Sequence, residues 1–126
     1  MANYRKFTLE TGKEILAGRD AITNDSLVSE ANPKDILLHT LAPGSPFVNI
    51  KEEPTRQELK QAAIFCASKS QEWRDTKKDI VVNWFYKKNT TKNKKDKAGL
   101  WHTKHEGKII VKKSEILNLL SHQPKG

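Results

Sequence analysis

Residues 36–50 read ILLHTLAPGSPFVNI. Two apolar runs, Ile36 to Leu38 and Phe47 to Ile50, flank a stiff corner, Pro43-Gly44-Ser45-Pro46, with His39 at its mouth. Short apolar runs bounded by Pro and Gly predict buried strands, so the corner joins two strands of a core sheet. It also combines a glycine's backbone freedom with a small hydroxyl. The corner is therefore either an ordinary tight connection or a surface on which a ligand approaches the backbone.

Working outward, YRKFTLE (4–10) and KEILAG (13–18) read as an N-terminal hairpin turning at Glu10-Thr11-Gly12. Gly18 closes it, and GRDAITNDSLVSEA passes from a loop into a short helix. Thr23 or Asn24 is the expected N-cap, with Asp25 where the helix dipole favours an acid. Downstream, EEPTRQELKQAAIFCASKSQEW (52–73) is the clearest helix. Thr55-Arg56-Gln57-Glu58 forms a capping box after Pro54. Leu59, Ala62, Ala63, Cys66, Ala67 and Ser70 share one face at helical spacing, and their small size lets the helix lie close to a sheet. Cys66 on that stripe reads as a small core residue.

DIVVNWFYKK (79–88) reads as a strand from a sheet interior, apolar on both faces in its front half. Trp84 and Tyr86 share a face there, and Phe85 points the other way. LWHT and KIIVKK, around Glu106-Gly107, read as a final hairpin, and Ser114 is the expected cap of a last helix, EILNLLSH. The order predicts an α+β class. The expectation is a single domain over residues 1–126, with a mixed, mostly antiparallel sheet, two main helices and a short C-terminal helix.

Charge is distributed unevenly. Residues 1–75 hold ten Lys/Arg against eleven Asp/Glu, whereas residues 76–126 hold thirteen against four, a net of −1 beside +9. Six lysines fall within eleven residues: Lys87, Lys88, Lys92, Lys94, Lys95 and Lys97. With Asn and Thr between them they cannot form a core, so 88–97 is expected to be an exposed loop. Such a local positive field favours polyanions, and lysine in place of arginine points to phosphate contact. Trp84, Phe85, Tyr86 and Trp101 border the loop and supply faces for stacking or for the core.

The chain lacks an apolar run of membrane-spanning length and an N-terminal secretory h-region. With its one cysteine unable to form an internal disulfide, the expected location is the cytoplasm. No glycine-rich phosphate loop, HExxH or CxxC is present. His39 and Ser45 lack a nucleophile elbow and an orienting acid, so no catalytic residues are assigned. His102 and His105 would face opposite ways in an extended strand, so neither a metal nor a cofactor is expected. At the two corners, Gly18 and Gly44 permit close approach while Arg19 and Ser45 offer donors to an oxyanion.

GRDAITNDSLVSEANPKDILLHTLAPGSPFVNIK (18–51) resembles the RNA-binding module of the NFACT family, whose members include the large factors that tag stalled chains on the large ribosomal subunit. The family pattern falls on Gly18-Arg19-Asp20 to Asn24, Asp35, His39-Thr40 and Pro43-Gly44-Ser45. Further on it falls on Ala62-Ala63, Lys87-Lys88 after VVNWFY, and KAGLW at 97–101, so the resemblance runs over about 4–117. Pro46 and Ala98 depart from it, and the lysine loop is longer. The resemblance implies an RNA-binding module rather than a whole tailing factor, with tRNA, large-subunit ribosomal RNA or the ribosome as partners. RNA-binding residues are expected to be Arg19, His39, Gly44, Ser45, Lys87, Lys88, Lys92, Lys94, Lys95 and Lys97. The alternatives are a module docking an acidic protein through the same lysines, and an enzyme using His39 and Ser45.

Overall fold

The computed structural model describes residues 3–51 and 53–121. Glu52 and His122, at the ends of segments read as helices, lie outside them. The hairpin forms as β1 (Arg5–Thr8) and β2 (Glu14–Ala17), followed by α1 (Ala21–Glu30), β3 (Ile36–Thr40) and β4 (Val48–Ile50). After α2 (Arg56–Ser68) and α3 (Gln71–Thr76) come β5 (Ile80–Tyr86), β6 (Thr90–Thr91), β7 (His102–Thr103), β8 (Gly107–Val111) and α4 (Lys113–Ser121). The main sheet runs β1-β2-β4-β3-β5-β8 with every neighbouring pair antiparallel, and β6 pairs with β7 apart from it.

The quoted stretch supplies the centre of this sheet. In β3, Ile36 and Leu38 enter the core cluster beneath α2, while Leu37 enters a second cluster beneath α1. The period of two along a strand sends successive side chains to opposite layers. Ala62, Ala63, Cys66 and Ala67 of α2 are fully buried, so the helix seats closely on the sheet, and Phe65 stacks on Phe7 with centroids 4.6 Å apart. Each fully buried Leu or Ile, such as Leu38, contributes roughly 1.5–3 kcal/mol by leaving water. On β5, Trp84 and Tyr86 pack toward α2 and Phe85 toward α1, as the alternation predicts.

Four local expectations are corrected. Asp20, not Thr23 or Asn24, caps α1: its carboxylate accepts from the Thr23 amide at 2.8 Å, and Thr23 Oγ1 accepts from the Asp20 amide at 2.9 Å. The sequence Asp-Ala-Ile-Thr is a capping box in which Thr does the work of Glu. The helix expected over 52–73 breaks after Ser68, because the Ser70 hydroxyl donates to the Ala67 carbonyl and accepts from the Trp73 amide, starting α3. Such side-chain bonds compete with the helical ladder. The capping box at Thr55 and Glu58 forms as expected.

LWHT and KIIVKK do not pair as a hairpin. His102–Thr103 turns back onto Thr90–Thr91, and Gly107–Val111 pairs with β5 instead. Nor does Ser114 cap α4; Glu115 accepts from the Lys112 amide, and Asp79 accepts from the Lys113 amide at 2.8 Å. A carboxylate from before β5 thus satisfies a first-turn donor.

Candidate nucleic-acid interface

The Pro43–Pro46 corner is held from within. The Ser45 hydroxyl accepts from the Thr40 amide and donates to the Pro46 carbonyl, both at 3.0 Å, and Thr40 Oγ1 donates to the Ala42 carbonyl. Ser45 is buried, so its hydroxyl shapes the corner from inside it. Gly44 adopts φ +95°, and its carbonyl accepts from the Gln71 amide at 2.9 Å, an orphan donor at the start of α3. A Cβ at Gly44 would sit 2.8 Å from Gln71 Cβ. Here both the backbone sign and the close approach require glycine.

The other corner is built the same way. Asn24 Oδ1 accepts from the Phe47 amide at 3.0 Å and occupies the space a Cβ on Gly18 would fill, while the Gly18 amide donates to the Phe47 carbonyl. The two corners therefore clasp each other across β2 and β4. His39 lies between them, half-buried, donating from Nδ1 to the Thr40 carbonyl at 2.7 Å, with its ring 4.5 Å from Phe47. Burial pushes its pKa below the ordinary value of 6.5 against the pull of the Thr40 and Ser45 backbone, so the imidazole is neutral near pH 7. Asp35 anchors the start of β3, accepting from the Asn32 amide and Asn49 Nδ2.

Above this clasp lies a cleft of about 480 Å³. Arg19 and His39 line it together with Gly44 and Ser45, as do three cations that the sequence did not single out: Arg5 from β1, Lys69 from the α2–α3 junction and Arg74 from α3. The Arg74 guanidinium donates to the Lys69 carbonyl and to Gln71, which fixes its direction. Burial and the neighbouring Arg5 charge lower the Lys69 pKa, as expected where cations crowd. Among the described residues of the wall the one carboxylate, Asp20, is used in capping α1. Four cations from four separate places thus face one concavity with backbone close at hand, an arrangement that suits phosphates.

Ala98, Gly99 and Leu100 form the remaining wall. They are held by a latch on α1, in which Asp25 Oδ1 accepts from the Gly99 amide at 3.1 Å, Trp101 Nε1 at 3.1 Å and Lys92 Nζ at 2.9 Å. Burial would raise the Asp25 pKa, but these donors outweigh it and hold the carboxyl below the usual 3.8. Asp25 answers to residues 74 and 76 positions away more than to its own helix's dipole.

The lysine loop divides into two groups. Lys92 is bound to Asp25 and to the Lys97 and Leu100 carbonyls, and Lys87 donates to the Val28 and Ser29 carbonyls at the end of α1. Both ammonium groups also lie over the Trp101 ring. Lys88 lies over Tyr86, and Lys94, Lys95 and Lys97 are exposed with no side-chain hydrogen bond or ion pair among the described residues. Arg5, Lys69 and Arg74 escaped the sequence reading because no motif links them. The Ser70 break that aims the last two was the only local signal. The Cys66 thiol is fully buried and its pKa is pushed up to about 12, which leaves it inert at neutral pH.

The fold occurs in the C-terminal part of the fibronectin/fibrinogen-binding protein from Streptococcus suis. The TM-score is 0.81 at 18% identity, covering 94% of this chain and 49% of that one. In sequence, this chain is 36% identical over 77 residues to the archaeal Rqc2 homolog aRqcH of Methanocaldococcus jannaschii, which is 56% of this chain and 12% of the relative. The chain thus spans half or less of the length of these relatives. The pattern described as the NFACT protein RNA binding domain, a family of binding domains rather than catalysts, matches residues 3–112. With that match across nearly all of its described residues, the chain belongs to the NFACT RNA-binding domain family.

Proposed function

We propose that this chain binds RNA in the cleft between its two glycine corners. We further propose that it works as one module over about residues 4–117 in cytoplasmic translation or ribosome quality control, on tRNA or large-subunit ribosomal RNA. Family membership supports RNA as the ligand, and the likeness to an Rqc2 homolog supports the setting. The observation that carries the site is the convergence of Arg5, Arg19, Lys69 and Arg74 on one concavity. In this reading Arg19, His39, Gly44 and Ser45, which line the cleft, belong to the site, with Ser45 and Gly44 shaping the shelf and Arg19 contacting phosphate. Lys88, Lys94, Lys95 and Lys97 extend the positive surface along the loop that forms the cleft's wall, whereas Lys87 and Lys92 hold that loop to α1.

Salt dependence tests this. Four phosphates neutralised in the cleft give a log–log slope near −2.8 on single-stranded RNA, at about 0.7 per contact. Arg5→Ala and Arg19→Ala, both at exposed positions, should each flatten it by about 0.7 and weaken binding to all sequences alike. Lys92→Ala should act through loop order rather than through the slope. A flat slope in the wild type, or slopes unchanged in both arginine variants, would refute the cleft as the phosphate site.

A further inference from the structure

On the face of the sheet that carries His39, residues beyond the cleft form two rows across β3, β5 and β8. His39 stands opposite Asn83, and Asn83 opposite Lys108. One step along, the Leu41 amide donates to the Val81 carbonyl, and Val81 stands opposite Ile110. Residues opposed in antiparallel strands point to the same face, so both rows lie on the His39 side. Leu41 is 57% exposed and Ile110 60%, with Val81 half-buried between them. Beside this aliphatic row Asn83 is only 9% exposed, makes no side-chain hydrogen bond among the described residues, and keeps Oδ1 buried without a partner.

Asn49, buried in β4, likewise keeps an Oδ1 without a partner; Asn83 differs in standing beside an exposed aliphatic row. Large aliphatic side chains side by side in water mark a contact surface, and a buried amide oxygen with no donor is costly. The polar row joins both features to the cleft, because His39 belongs to each. We propose that the row Leu41–Val81–Ile110, with Asn83 beside it, is a base-binding platform. RNA held by its phosphates in the cleft would continue as a single strand over β3, β5 and β8, laying unstacked base faces on the aliphatic row and a base edge against the Asn83 carboxamide.

This rests on the cleft as the phosphate site and names the class of RNA it takes. The row crosses three strands, about 10 Å, which is room for one or two base faces. Only unpaired bases can offer those faces, since a duplex keeps them inside its stack. Lys108, exposed in the polar row, provides a cation alongside. A protein strand adding to β8 fits less well. Lys60 Nζ already takes the Ile110 carbonyl at 3.0 Å, and lysine-bearing, capped edges are blunted against such pairing.

The test uses three labelled probes, each about twelve nucleotides per strand: single-stranded RNA, an abasic ribose-phosphate strand of equal charge, and an RNA duplex compared per phosphate. The wild type should bind the single strand about tenfold more tightly than the abasic strand, the factor expected of one well-seated base. Leu41→Ser with Ile110→Ser, at two exposed positions, should remove that preference while leaving abasic and duplex binding and the salt slope unchanged. Equal wild-type affinity for single-stranded and abasic probes, or a double variant that keeps the preference, overturns the platform and leaves the cleft standing. Failure of the wild type to bind any probe overturns the cleft reading itself. A double variant altered only in self-association, seen by sedimentation, makes the row a protein contact and also overturns the proposal. A 4-thiouridine strand provides a check without variants: crosslinks within 81–85 or 107–111 support the platform, and crosslinks confined to the cleft walls overturn it.

Discussion

Replacing Asp25 by Ala isolates the latch that holds the loop against α1. The wild-type carboxylate, 31% exposed, makes one ion pair with Lys92 and accepts from the Gly99 amide and the Trp101 indole. A partly exposed ion pair is worth about 0.2–1 kcal/mol, and each neutral donor about 0.5–1.5 kcal/mol net. Discounted for exposure, the latch contributes about 2 kcal/mol, or roughly a thirtyfold bias toward the docked loop. Most of this should stay out of the global unfolding energy, because the loop can lift away while the six-stranded sheet persists. Asp25→Ala should therefore cut hydrogen-exchange protection at the Gly99 amide by about thirtyfold and shift Trp101 emission to the red. The urea midpoint should fall by the equivalent of less than about 1 kcal/mol. Asp25→Asn keeps an acceptor for Gly99 and Trp101 and loses the ion pair, so its effect should be smaller. Unchanged protection in Asp25→Ala, or a global loss of the full 2 kcal/mol without selective loop opening, would refute the latch.

Gly44→Ala should destabilise the protein by about 1–3 kcal/mol in urea unfolding, because alanine at φ +95° is strained and its Cβ meets Gln71. A change within about 0.5 kcal/mol would show that the corner relaxes freely. Acid stability should depend on Glu58, which receives donors from Thr11, the Thr55 amide and Lys13. These hold its carboxyl below the ordinary 4.5. The stabilisation is thus complete above about pH 4.5 and is lost as the pH falls through the lower folded value. Glu58→Gln should be less stable at neutral pH and show a flatter acid limb in thermal melts; an acid limb of unchanged slope would count against the linkage.

Much of the architecture was written in short-range patterns. Alternation in Ile36 to Leu38 and in Trp84 to Tyr86, the Thr55–Glu58 box and the small-residue stripe of α2 each depend on neighbours within a turn or a strand. Each appears where expected, except that Ser70, the last residue of the stripe, lies beyond α2 and caps α3. The caps of α1 and α4 were misplaced because Thr can replace Glu in the box, and because Asp79 reaches Lys113 from 34 residues away. Pairing choices are not local either. β5 takes β3 along one edge and β8 along the other, and His102–Thr103 pairs with Thr90–Thr91 apart from that sheet.

For the site, the sequence by itself determined the two glycine corners, the histidine between them and the positive charge of the second half. The resemblance carried by those corners was enough to indicate the family. Tertiary structure alone decided which charges lie together. Arg5, Lys69 and Arg74 meet Arg19 only because the sheet order sets β1 and the start of α3 on the same side as the corners. The same folding turns Lys87 and Lys92 inward as braces, since the α1 carbonyls and Asp25 bind an ammonium group wherever the loop brings one within reach. A lysine's place in the chain states its charge; the partners that the fold brings to it decide whether that charge is left for a phosphate.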